Sequence, residues 1–153
     1  MRVPRRFYVA TAGLLLLVLG PYTGARPQQP ADNTPRIIVS GFDAYKAEGP
    51  EAGIKAWMKG SPLEGSRDVL SQANNLRSIQ DAYGAYRRFE LVSVHDVSPS
   101  VRILFMTIAF DKGPLFARFV AYRSAPTDDW ILTSFDFNTK PEQIFPLGLG
   151  LEK

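Results

Sequence analysis

The sequence predicts an α+β fold, with two or three N-terminal helices packed on a curved four-stranded antiparallel sheet. Three observations predict it. Apolar residues recur at spacings of three and four as far as Tyr83. After Gly84 the period falls to two. The period-two runs are then joined by short turns rich in Pro, Gly, Ser and Asp. Helices grouped ahead of a strand meander leave one sheet face for the helices to cover.

The first helical element is read as starting at Ser40, an N-cap with Asp43 three residues on as its capping-box partner. Phe42, Ala44 and Tyr45 then turn inward, and Gly49 stops the helix. Pro50 suits the first turn of a new helix, with Glu51 near its positive end. Ile54, Trp57 and Met58 form one apolar stripe, and Gly60 and Pro62 close it. Ser66 caps the next helix, with Asp68 in its first turn. Val69, Ala73, Leu76, Ile79 and Tyr83 line one side of it, and Arg67, Gln72, Asn75 and Asp81 the other.

Four strands follow. Phe89 to Val97 ends before the turn Ser98-Pro99-Ser100. Val101 to Phe110 is apolar with little alternation, which predicts cover on both faces. Asp111 to Pro114 reads as a four-residue hairpin turn into Leu115 to Arg123. A polar turn around Pro126 leads to Trp130 to Asn138. On that last strand Ile131, Thr133, Phe135 and Phe137 are expected on one side, and Leu132, Ser134 and Asp136 on the other. Ile144-Phe145-Pro146 is expected to fold back on the body.

Residues Met1 to Ala25 read as a secretory leader. Arg2, Arg5 and Arg6 precede an uncharged apolar run from Phe7 to Leu19. Gly20 and Pro21 break it, and Thr23-Gly24-Ala25 offers small residues for cleavage. That run of 13 residues falls short of the roughly 20 needed to span a bilayer. Nothing beyond the leader is expected to enter a membrane, and the expected address is periplasmic or secreted. Residues 26–35 read as a disordered linker, 36–146 as a single domain and 147–153 as a flexible tail.

The leader holds three of the 18 basic residues and no acid, so the rest of the chain carries 15 of each sign. That balance removes the basic footprint that nucleic-acid binding needs, and no nucleic-acid partner is expected. With no Cys and one His, neither a disulfide framework nor a zinc-type metal site is expected. No cofactor motif is present: there is no glycine fingerprint, nucleophile elbow or HExxH.

The broken first helix through Trp57, the helix ending at Tyr83-Gly84, the hairpin around Asp111-Lys112-Gly113-Pro114 and the closing Trp130-Ile131-Leu132-Thr133-Ser134-Phe135-Asp136-Phe137 share an order of elements. In that order the chain resembles the NTF2-like superfamily, the cystatin-like α+β roll, over about Ile37 to Pro146. The resemblance implies a concave sheet face roofed by helices, where enzymes of this sort place an Asp, His or Tyr. It makes Asp136 a candidate general base in a cofactor-free isomerase, dehydratase or hydrolase. The competing reading turns Phe135 and Phe137 toward the helices and leaves Asp136 in solvent, because burying two rings outweighs one carboxylate.

Arg118, in an otherwise apolar strand, is a candidate for holding an anion or for a plain cross-strand pair with Asp136 or Thr107. Tyr86, beside the helix–sheet junction, and Tyr122, beside the Pro126 turn, are candidate ligand contacts. His95 and Asp96 are adjacent on a strand and point to opposite faces, so they do not pair. If the row Val101, Ile103, Phe105 packs on the helices, Leu104, Met106 and Ile108 form an exposed interface for a homodimer or a protein partner. The sequence favours a small exported domain that binds a small ligand or a protein without catalysis. A cofactor-free enzyme and a periplasmic accessory factor acting through the sheet face are the alternatives.

Overall fold

A computed structural model of the chain describes residues 33–146. The leader expected over 1–25, most of the linker expected over 26–35 and the tail expected over 147–153 lie outside the described residues.

The fold is α+β, with three helices preceding an open four-stranded antiparallel sheet. Helix α1 spans Arg36–Glu48 and begins a turn earlier than Ser40. Ile38 extends the stripe of Phe42 and Tyr45 backward at helical spacing, and all three are buried. Ser40 is therefore internal, its hydroxyl donating to the Ile37 carbonyl at 3.0 Å. Helix α2 spans Pro50–Met58 with proline in its first turn. Helix α3 spans Arg67–Tyr83, and the Ser66 hydroxyl accepts from the Val69 amide.

Strands β1 (Tyr86–Ser98), β2 (Val101–Phe110), β3 (Pro114–Tyr122) and β4 (Ile131–Asn138) lie in sequence order. The β2–β3 turn is two residues tighter than expected. Phe110 donates to the Gly113 carbonyl, and Pro114 already pairs with Ala109. Phe105, not Thr107, thus lies opposite Arg118. Register shifts at three points along β1 add residues to that edge strand and bend it. A further shift at Val120/Ala121 leaves Thr133 of β4 unpaired. Leu132 and Phe135 consequently share the core face, which strict alternation had put on opposite sides.

The helices pack on the face that carries Leu104, Met106, Ile108, Leu115, Ala117 and Phe119. Trp57 sits at the centre, wholly buried, and its indole N–H donates to the Ile38 carbonyl at 3.0 Å. Gly41 lets α2 approach α1 there: a Cβ at that position would lie 2.0 Å from the Trp57 ring. Rings of Phe42, Phe119 and Phe137 surround Trp57 at 4.8 to 5.8 Å between centroids.

The interface expected on Leu104, Met106 and Ile108 is corrected by this packing. Their exposures are 0, 0 and 2 %. Register decides the matter. The row of Leu104 to Phe110 is flanked by Phe89 and Leu91 on one side and Leu115 to Phe119 on the other. The opposite row, Ile103 to Ala109, is flanked by Glu90, His95 and Arg118. On that outer face a short 3-10 turn at Pro141–Gln143 brings Ile144 and Phe145 back over Phe105 and Phe116. β2 is covered on both faces, as its unbroken apolar run predicts.

Candidate functional site

The sequence places chemistry-bearing side chains at one end of the sheet, beyond the last core layer. Arg102 follows Leu104, Met106 and Ile108 on the same face of β2, one step past the helices' cover. The end of β1, the end of β3 and the start of β4 meet it there. Arg102 and the residues just before β4 line an open groove of about 750 Å³ together with the start of α1 and the residue after α2.

Arg102 organises the groove's wall. Its guanidinium donates to both carboxylate oxygens of Asp96, at 2.6 and 3.1 Å, and to the Asn33 carbonyl at 2.9 Å. That bidentate pair holds the Asp96 carboxyl below its ordinary pKa, chiefly through the hydrogen bonds from Arg102. With its side chain 19 % exposed, Arg102 is the most enclosed cation among the ion pairs of the described residues. The Trp130 ring lies 5.1 Å from the Arg102 guanidinium carbon and 4.5 Å from that of Arg123. Arg123 is fixed in turn by the carbonyls of Pro99 and Pro126, each at 3.1 Å. The aromatic wall is thus rigid before any ligand arrives.

Asn33 to Ile37 form the opposite side, with Pro35 buried. The last residues of the expected linker are therefore held against the domain, pinned by Arg102 at Asn33. Arg36, Asp43, Lys59 and Asp129 reach the groove from α1, the end of α2 and the turn before β4.

The candidates named from the sequence lie elsewhere. Asp136 pairs directly with Arg118 across β3 and β4, with Nη2 2.5 Å from Oδ2. Both side chains are more than two-fifths exposed, on the outer face. Phe135 and Phe137 pack against Trp57 instead, with centroids 6.5 and 5.8 Å away. Asp136 as a general base inside a roofed cone is corrected accordingly, and Arg118 as an anion holder has its carboxylate partner already in place. Thr107 contacts Glu90 at 3.3 Å. Tyr122 is exposed at the end of β3.

Tyr86 lies with Tyr45 beside a second, smaller hollow of about 320 Å³. Their rings meet edge to face at 4.9 Å, and the Tyr45 hydroxyl donates to Gln80 at 2.6 Å. Burial pushes the pKa of both phenols above their ordinary value; each is raised further by a neighbour, Tyr86 for Tyr45 and Asp43 for Tyr86. His95 is exposed, and its neighbour Asp96 turns to Arg102.

Among the described residues no three His, Asp or Glu side chains converge as metal ligands, and no helix is long and apolar enough to cross a membrane. Sequence reasoning missed the groove because its members are scattered from Asn33 to Trp130. One signal was available: Arg102 heads an otherwise apolar core row, and a charge in that position marks where the roof ends. No protein-family model, curated protein or solved structure matches the chain.

Proposed function

We propose that the chain is an exported, non-enzymatic binding domain built as an NTF2-like, cystatin-like roll, and that its ligand seats in the groove at the open end of the sheet. The packing of Trp57 carries this reading. Trp57, Phe42 and Phe119 occupy the space between helices and sheet, where a roll enzyme would hold substrate. The ligand is thereby directed to the rim, where Trp130 is half-buried and already braced. The leader at Met1 to Ala25 supports delivery to the periplasm or beyond.

An accessory role through the sheet face rests on the outer surface, where Arg118 and Asp136 stay accessible. The groove is the better seat because it is concave and combines aromatic, apolar and charged walls.

Native mass spectrometry of protein recovered from its own compartment tests the proposal. The expected result is a retained mass that disappears in Trp130→Ala. A bare wild-type protein, or a retained mass unaffected by Trp130→Ala, overturns it.

A further inference from the structure

The described chain opens inside the groove. Asn33, Thr34 and Pro35 line it, so whatever precedes Asn33 departs from the groove's own wall. Pro35 is buried, with φ −52° and ψ 138°, close to polyproline II. One proline of this segment is therefore already seated in that conformation. The Asn33 carbonyl accepts from Arg102 at 2.9 Å, so the wall holds the segment by its backbone. The Thr34 hydroxyl is covered and has no hydrogen-bond partner among the described residues. A covered hydroxyl in that state is costly unless a carbonyl meets it.

Residues 26–32, outside the described residues, read Arg-Pro-Gln-Gln-Pro-Ala-Asp. Pro27 and Pro30 fix their own φ, and each biases the residue before it toward the same extended region. That composition favours polyproline II, a helix of three residues per turn with no internal hydrogen bonds. Its carbonyls are free to meet a donor such as the Thr34 hydroxyl. Pro27 and Pro30 fall on one face of it, about 9 Å apart at about 3.1 Å per residue. Grooves lined by aromatic rings take proline faces of this kind. Here the Trp130 ring, flanked by two guanidiniums, shares the groove with Ile37 and Val39. The tether adds to the contact. Joined at Asn33, the segment meets the groove at an effective concentration on the order of millimolar.

We propose that the groove seats proline-rich chain in the polyproline II form, and that residues 26–32 of this same chain are its resident occupant. This rests on the groove being the binding seat; the ligand retained there displaces the segment when it binds.

The test compares exported wild-type protein with Pro27→Gly/Pro30→Gly, which alters no described residue. Both are refolded from urea so that no ligand is carried over. The probe is the heptapeptide Arg-Pro-Gln-Gln-Pro-Ala-Asp with blocked ends, and Arg-Gly-Gln-Gln-Gly-Ala-Asp is its control. Wild-type protein is expected to show NMR cross-relaxation between proline ring protons of residues 27 and 30 and the Trp130 ring, independent of protein concentration. The heptapeptide is expected to shift the Trp130 indole N–H of the variant and to bind it at least threefold tighter than wild type, with no response to the control. Equal binding to both proteins, or absent cross-relaxation in wild type, overturns residues 26–32 as the occupant. Cross-relaxation that grows with protein concentration overturns it too, in favour of a second copy's segment. No binding of the heptapeptide to either protein overturns the proline-rich class, while the retained-mass measurement judges the groove on its own.

Discussion

At the scale of single residues, Gly41 and Trp57 set the geometry of the helical layer. Two effects oppose each other in Gly41→Ala. Alanine gains about 1 kcal/mol of helix propensity over glycine. Its Cβ would meet the Trp57 ring at 2.0 Å, and overpacking of a core costs about 1–3 kcal/mol or more. So deep an overlap lets the clash win, because Trp57 is also held by its bond to the Ile38 carbonyl. Gly41→Ala is expected to destabilise by about 1–2 kcal/mol, read from urea unfolding. A neutral or stabilising result means that Trp57 has another place to go.

At the scale of elements, the β2–β3 turn is tied to the α3–β1 junction through Asp111. Its carboxylate accepts from the Ala85 amide at 2.8 Å and from Arg87 at 2.5 Å. Those bonds, the backbone one foremost, hold the Asp111 carboxyl below its ordinary value of 3.8. A lowered folded pKa contributes stability that is complete above the ordinary value and fades as pH falls below it. Gly84 has φ +87° and Asp111 packed against it, so the junction needs glycine twice over. Asp111→Asn is expected to lower the melting temperature at neutral pH, where the clamp is complete, and to flatten the profile below about pH 4, so that variant and wild type converge in acid. An unchanged acid limb contradicts the clamp.

Element order was legible in the sequence because period and punctuation are local properties. The Ser66 cap, Pro50 and the strand meander all follow from neighbours within a few residues. Register was not legible, because it depends on residues far apart. One extra residue at Thr133 put Leu132 and Phe135 on one face, and a tighter turn at Asp111 moved Arg118 opposite Phe105. The face that Leu104, Met106 and Ile108 take could be settled only by their cross-strand neighbours. Asp136 could be weighed from the sequence, since its flanking phenylalanines claim the core. The groove could not be assembled from it, because its walls come from α1, the end of α2, β2 and the start of β4.

At the scale of the whole molecule, the core and the rim divide the work. Tyr45 and Tyr86 join helix α1 to the sheet beside the second hollow, and both phenols are held neutral chiefly by burial. A raised folded pKa gives stability that is complete below the ordinary value of 10.0 and is lost as pH rises beyond it. Wild-type protein is therefore expected to lose melting temperature steeply above pH 10. The Tyr45→Phe/Tyr86→Phe pair should lose less, and an equal slope contradicts that role.

The division of work also separates the two tryptophans, one in the filled interior and one on the groove's wall. Trp130→Phe leaves Trp57 as the sole reporter, and Trp57→Phe leaves Trp130. Each is titrated with the small-molecule fraction released from denatured wild-type protein, and tryptophan emission is followed. Binding at the rim predicts a response from the Trp130 reporter and a flat trace from Trp57. A response from Trp57 alone would place the ligand beneath the helices and contradict the account.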